Sequence, residues 1–300
     1  MYVAAELKIA DLLAQGPRSA ADLARATRTH RASLHRLLRS LVTLEICDEN
    51  SDGSFGITSM GRLLQNEAAW SLRNYVIWWG TNLWKTWGNL LYGVQTGESA
   101  RTLSGDDAGF DYLERDPQTA AVFHRAMAEV TRLDTQRIVQ AYDFSKFNRV
   151  MDAGGGLGNL LAAILKKHRG LSGILFDVPG VMDGARRYLR AARVSDRCEL
   201  SAGDFFMSLP RGADAIVLKS VLHDWADRDC RRILVNCRAA LGGRGRLLVV
   251  ERIMPDRLGS TAADRALARA DLTMLVTHAS RERTEKEHRK LLGSAGFSAA

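Results

Sequence analysis

Apolar residues fall in two different rhythms along this chain. From residue 149 onward, short apolar runs at 149–153, 173–177, 198–204, 215–222 and 245–253 alternate with segments long enough for helices. That alternation predicts a parallel sheet with helices on both faces. The first hundred residues carry apolar positions at helical spacing instead. A helix runs from Val3 to Leu13, and Ser19-Ala-Ala-Asp22 is a capping box that opens the next. After a short turn at Thr27-Arg28-Thr29, a further helix carries Leu34, Leu37, Leu38, Leu41 and Val42. Asp52-Gly53, between Ile46-Cys47 and Phe55-Gly-Ile57, reads as a hairpin turn and completes a winged helix-turn-helix pattern. Pro117 after Asp116 starts a long connecting helix that reaches about Tyr142. The chain therefore reads as an α/β protein in two domains. A helical, winged-helix-like domain covers residues 1–110, and a doubly wound, mostly parallel sheet covers 111–300.

The first apolar run ends in an acid and then glycines, Asp152-Ala-Gly-Gly-Gly-Leu-Gly158. Glycines here let the backbone turn sharply and approach a ligand closely, beside the free N–H groups of a helix expected from Leu157. A dinucleotide fingerprint needs glycines at the first, third and sixth positions. Counted from Gly154 the sixth is Asn159, and from Gly156 it is Leu161, so neither register fits. No Gly-Lys-Ser/Thr triplet closes a Walker loop either. The remaining pattern suits a ligand with an amino acid part and a ribose but no pyrophosphate. Ligands of such sheets bind at the carboxyl ends of the strands. Those ends hold Asp152, Asp177, Asp204, Lys219 with His223, and Glu251, nearly all ionisable.

Charge and cysteine usage narrow the class. The net charge of +8 raises a nucleic-acid reading, with Arg28, Arg31, Arg36 and Arg39 of the winged helix as phosphate contacts of a DNA-binding regulator. Yet in residues 1–60 Lys8, Arg18, Arg25 and those four arginines are balanced by Glu6, Asp11, Asp22, Glu45, Asp48, Glu49 and Asp52. The excess sits in Arg186, Arg187, Arg190, Arg193 and Arg197 and around Arg281 to Lys290, where it reads as solvated faces. Cys47, Cys198, Cys230 and Cys237 form no C-x-x-C pair or zinc spacing, which fits a reducing cytoplasm and no metal site. No apolar run approaches the roughly 18 residues of a membrane span.

With the strand ends in hand, the chain resembles the S-adenosylmethionine-dependent small-molecule O-methyltransferases of the plant caffeate type and their bacterial natural-product relatives. The resemblance covers nearly the whole chain. It is carried by the glycine loop, Phe176-Asp-Val-Pro179, Gly203-Asp-Phe205, Leu218-Lys-Ser-Val-Leu-His-Asp-Trp225 and Glu282-Arg-Thr-Glu-Lys-Glu287, in that order. It implies a class I, Rossmann-like methyltransferase domain with an N-terminal dimerisation domain, hence a homodimer. It also implies that Asp152 and Gly154, Gly155 and Gly156 face the methionine part of S-adenosylmethionine. Asp177 would accept both ribose hydroxyls, having two acceptor oxygens for two donors. Asp204 and Phe205 would hold the adenine, with Lys219 helping at the same pocket.

By the same resemblance His223 is the general base, and Glu251 and Glu282 orient it and stabilise its cation without any metal. A phenol near pKa 10 and a histidine near 6.5 leave full deprotonation uphill by about 5 kcal/mol, so removal concerted with methyl transfer is expected. The acceptor, a small aromatic, would meet Phe123 and Met127 on the long helix, Asp224 and Met274. A tryptophan-rich segment with Trp70, Trp78, Trp79, Trp84 and Trp87 would cover it. N-methylation, or a non-methylating hydroxylation or decarboxylation, is the alternative within the fold. Two departures stand out. Relatives often have Gly-Gly before the second glutamate, where Ala279-Ser280-Arg281 stands here. The chain also begins directly in its first helix and stops at Gly296-Phe297, short of the antiparallel hairpin that usually completes the sheet and whose loss would expose a sheet edge, so either the chain is a fragment or its stability and dimer contacts are reduced.

Overall fold

The computed structural model describes residues 1–105 and 109–298. They form two compact units that interleave along the chain: residues 1–84 with 121–133, and residues 85–120 with 134–300. Among the described residues no helix is long and apolar enough to cross a membrane.

In the first unit, strands β1 (Arg18–Ser19), β2 (Cys47–Glu49) and β3 (Ser54–Ile57) form an antiparallel sheet in the order β1-β3-β2. Helices Ala20–Thr27 and Arg31–Thr43 precede the β2–β3 hairpin. Leu23, Leu34, Leu38, Leu41, Ile46 and Phe55 close its core with Ile9 and Leu13. The expected helix from Val3 to Leu13 is in fact two, Tyr2–Glu6 and Ile9–Leu13, separated by Lys8 at φ 53°. Periodicity reports the shared buried side of Ala5, Ile9 and Leu13, not the continuity of the backbone beneath them. Ser19 caps its helix by accepting the Asp22 N–H at 3.1 Å, and its hydroxyl donates to the Asp22 carboxylate at 2.6 Å. Ser19 is also the last residue of β1, paired with Ser54. The tryptophan-rich segment is helical but interrupted by a π-turn at Trp79–Leu83, leaving Trp78 buried and Trp84 exposed. Helix Pro117–Ala141 starts at an Asp116 cap. Within this unit Phe123 packs edge-on against Trp78, and Glu129 accepts the N–H groups of Asn74 and Tyr75 at 3.2 and 2.9 Å.

In the second unit, β4 (Arg149–Ala153), β5 (Ser172–Asp177), β6 (Cys198–Ala202), β7 (Ala215–Lys219) and β8 (Arg246–Val250) form an all-parallel sheet in the order β6-β5-β4-β7-β8. Successive strand residues enter opposite cores. Met151, Ile174, Phe176, Ile216 and Leu218 pack with Leu222, Ile233, Leu234 and Leu241. Val150, Leu175, Ala215 and Val217 pack with Leu161, Ile164, Ala185 and Leu189 on the other side. Both faces being covered explains why these strands read as continuous apolar runs. The chain winds outward from β4 to β6, then crosses back to place β7 on the other side of β4. That reversal opens a crevice at the carboxyl ends of β4 and β7. The strands stop short of Asp204, His223 and Glu251, which therefore sit in the loops beyond them. The helix after the glycine loop begins at Asn159, two residues later than expected, because Gly158 at φ 86° is its cap.

Candidate functional site

One half of the crevice is built from backbone. Gly154 and Gly156 take φ of 72° and 58°, values that favour glycine. A Cβ on Gly155 would lie 2.5 Å from Leu175 and 2.7 Å from the Asp152 carboxyl carbon. A Cβ on Gly156 would meet nothing within 4 Å, so open space lies above the loop. Gly154 donates its N–H to Phe176 O at 2.8 Å, and Gly156 donates to Asp177 Oδ2 at 2.7 Å. Asp177 Oδ1 accepts the Val178 N–H at 2.7 Å. Burial raises the Asp177 pKa while these two N–H groups oppose the rise. Each of its oxygens keeps a lone pair for a further donor. Asp152 is buried at the floor of the loop, and burial pushes its pKa up to about 7 despite Lys219. Beyond β6, exposed Asp204 accepts the Phe206 N–H at 2.8 Å. The Phe205 ring stands 3.7 Å from where a Gly154 Cβ would be. Backbone close approach, a carboxylate with free lone pairs and an aromatic edge around open space together fit an S-adenosyl ligand.

Lys219 ends β7, next to β4, and its electrostatic neighbours are Asp134, Asp152, Glu251 and Arg252; burial lowers its pKa.

The other half is built from side chains. His223 sits in a single 3-10 turn, Leu222–Asp224, with its side chain 11% exposed. Its Nδ1 lies 3.2 Å from Glu282 Oε1 and 3.5 Å from Glu251 Oε2, and its Nε2 lies 3.5 Å from Asp224 Oδ1. Burial alone would lower the histidine pKa, but Asp224, Glu251 and Glu282 override it and hold it at about 9. Asp224 is pushed up to about 7 by burial, against the pull of His223. Glu282 is also desolvated, yet its hydrogen bond and charge pairing with His223 leave its pKa lowered. Donor atoms of His223, Glu251 and Glu282 all lie within 4.8 Å of one another, a span that could also hold a cation.

Several contacts hold this cluster in place. Glu251 Oε1 accepts the N–H groups of Val221 and Leu222 at 2.9 and 2.8 Å, fixing the turn that bears His223. Buried Arg283 donates to Leu222 O at 2.6 Å and to Trp225 O at 2.7 Å, and pairs with Asp227. Glu282 donates its own N–H to Asp271 Oδ1 at 2.8 Å, and Met254 N–H bonds Arg283 O at 2.9 Å. The unusual Ala279 takes the left-handed conformation at φ 52°, and Ser280 donates to Trp225 O at 2.9 Å, so the altered loop still delivers Glu282 to His223. His278, which carries no sequence signal, joins the cluster through Asp224. Its Nε2 lies 3.6 Å from Asp224 Oδ1, and its ring lies 4.8 Å from that of Phe110. Met274 is half-buried on the helix Ala262–His278 that ends at this residue, whereas Phe123 and half-buried Met127 belong to the first unit.

Comparison with known proteins gives two family matches, an O-methyltransferase dimerisation domain over residues 1–67 and an O-methyltransferase domain over residues 87–298. The phenazine O-methyltransferase PhzM of Lysobacter antibioticus is 38% identical over 99% of this chain and 86% of its own length. The crystal structure of LaPhzM superposes with a TM-score of 0.95 at 38% identity, covering 100% of this chain and 89% of that one. An O-methyltransferase from neocarzinostatin biosynthesis, NcsB1, solved with S-adenosylmethionine and 2-hydroxy-5-methyl naphthoic acid, gives a TM-score of 0.83 at 33% identity, covering 100% and 90%.

Proposed function

Since this chain belongs to the O-methyltransferase family, we propose that it moves a methyl group from S-adenosylmethionine to a hydroxyl of a small aromatic acceptor, with His223 as general base and no metal. The observation that carries the mechanism is the hydrogen-bonding distance of 3.2 Å between His223 Nδ1 and Glu282 Oε1, which turns Nε2 away from the glutamates. S-adenosylmethionine, when bound, supplies a methyl already activated on a sulfonium. The protein's own task is to position the acceptor and take its proton. With Nδ1–H donated to Glu282, the neutral imidazole offers its Nε2 lone pair to the acceptor hydroxyl. At a pKa of about 9 the gap to a phenol narrows to about one unit, while only about one molecule in a hundred is neutral at pH 7. The carboxylates thus make His223 a stronger base and stabilise the cation it becomes.

The Asp177 carboxylate and the Gly154–Gly156 loop support the cofactor assignment, with Asp204 and Phe205 toward the adenine. The glutamate-to-imidazole bond favours carboxylates that serve the imidazolium over carboxylates that serve a cation. The match of residues 1–67 to a dimerisation domain supports a homodimer, and the balanced charge of residues 1–60 weighs against DNA binding. Four free cysteines suit a reducing cytoplasm. Isothermal titration with S-adenosylmethionine and S-adenosylhomocysteine tests the cofactor assignment: binding is expected for the native chain and lost in Asp177→Ala. Methylation of phenols should continue in EDTA. Absent binding by folded protein, or loss of activity on chelation that zinc or magnesium restores, would overturn the corresponding part.

A further inference from the structure

The ring of acceptors around His223 Nδ1 is wider than a proton needs. Glu282 Oε1 and Oε2 lie 3.2 and 3.4 Å from Nδ1, and Glu251 Oε2 lies 3.5 Å from it. A charge-assisted N–H···O bond closes to about 2.7–2.9 Å, and a single N–H satisfies one such oxygen well. The oxygen left over is Glu251 Oε2, on a side chain 1% exposed, which has no hydrogen-bond partner among the described residues. A buried carboxylate oxygen facing a nitrogen that it does not bond leaves room for a further positive group. The spans fit one kind of occupant. Two ligands on a tetrahedral zinc ion, each at about 2.0–2.2 Å, stand about 3.3–3.6 Å apart. The spans from Nδ1 to Glu282 Oε1 and to Glu251 Oε2, 3.2 and 3.5 Å, match that edge closely, and the three residues' donors all lie within 4.8 Å of one another. One ring nitrogen with two carboxylates suits zinc, whereas calcium and magnesium take oxygen ligands, six or more at a time. Asp224, 3.5 Å from Nε2, adds negative charge on the far side of the ring, and exposed Arg252, 3.4 Å from Glu282 Oε1, is the cation that opposes entry. Arg283 is engaged elsewhere, by Asp227 and by the carbonyls of Leu222 and Trp225.

We infer that His223 Nδ1, Glu251 and Glu282 form a binding site for a zinc ion, and that zinc held there switches methyl transfer off. The switch rests on the methyltransferase reading; the site does not. To bind zinc, the imidazole releases its Nδ1 proton to solvent, and the metal takes the lone pair of that nitrogen. The neutral ring then carries its remaining proton on Nε2. Nε2 has no lone pair left for the acceptor hydroxyl, so the acceptor keeps its proton and the methyl stays on the sulfonium. No electron changes hands. Zinc and the catalytic proton thus compete for the same three side chains, which agrees with a reaction that continues in EDTA.

The test titrates zinc into the full chain by calorimetry and follows cobalt(II) in its place by visible absorption. About one zinc per chain is expected, and cobalt should give tetrahedral bands without the near-ultraviolet thiolate band that half-buried Cys198 or another cysteine would add. Glu251→Gln, which keeps an acceptor for the Val221 and Leu222 N–H groups, and Glu282→Gln should each weaken zinc binding by about 10-fold or more. His223→Ala should weaken it further. Arg252→Ala should tighten it several-fold, a gain that a merely structural cluster would not show. Retained S-adenosylhomocysteine binding reports that each variant is folded. In the native chain, methylation of phenols should stop over the zinc concentrations that fill the site and return in EDTA. Absent zinc binding, or an affinity unchanged in both glutamine variants, overturns the site. Methylation that continues with the site filled overturns the switch. Zinc bound at these residues by a chain that methylates no phenol in EDTA would support the site while counting against the methyltransferase reading.

Discussion

The carboxyl ends of β4 and β5 and those of β7 and β8 build their halves of one crevice from different materials. At β4 and β5 the working parts are backbone: positive φ at Gly154 and Gly156, and N–H groups committed to Phe176 and Asp177. At β7 and β8 they are charges, three carboxylates around one imidazole inside the protein. Backbone shape holds a ligand whatever the pH and tolerates almost no added atoms. Buried charge tolerates changes of shape better but depends on every proton in the cluster.

The comparison would break most visibly at His223. His223→Ala should lower turnover about 100-fold or more while affinity for S-adenosylhomocysteine, measured by titration, stays within about threefold. A parallel loss of affinity would mean that the two halves do not work independently. The pH dependence sharpens the contrast next. With His223 at about 9, kcat/KM should climb about tenfold per pH unit from pH 7 and level off near 9, as the imidazole loses its proton. The folded state favours the His223 cation, so its contribution to stability is complete below the ordinary pKa of about 6.5 and disappears as pH rises through about 9. Thermal melts across that window should show the decline, and His223→Gln should flatten it.

Gly155→Ala probes the backbone half. The added methyl would press on Leu175 and the Asp152 carboxyl, costing about 1–3 kcal/mol of stability in denaturant titration. It should raise the KM for S-adenosylmethionine more than it lowers kcat. Ser280→Ala should have the smallest effect, about 1 kcal/mol, because Trp225 O keeps its bond from Arg283 at 2.7 Å. A several-fold fall in kcat would then report the slackened approach of Glu282.

The same difference in materials decides what could be read from the chain beforehand. Glycines at fixed spacing after an apolar run announce a backbone cradle, because few other residues take those conformations. The strands, and the ionisable residues at their ends, follow from runs that are apolar throughout since both sheet faces are covered. Strand order is not written in any local pattern. Lys219 therefore finds itself among Asp134, Asp152, Glu251 and Arg252, residues far apart along the chain. Arg283 and His278 carry no signal either, since a buried arginine and a histidine at a helix end look like any surface residue until tertiary contacts enclose them. The break at Lys8 was hidden for the opposite reason, because side-chain rhythm continues across a backbone that does not.

Glu251 grips the turn that carries His223 with one oxygen, through the N–H groups of Val221 and Leu222, and faces the imidazole with the other. Base and carboxylate are thereby parts of one closed ring of bonds and contacts, and a displacement of the turn carries both. Motions that admit an acceptor or release a product can then be large without detuning the base, so natural or engineered variation in whatever surrounds the crevice is free to change what enters while the proton-taking step stays calibrated.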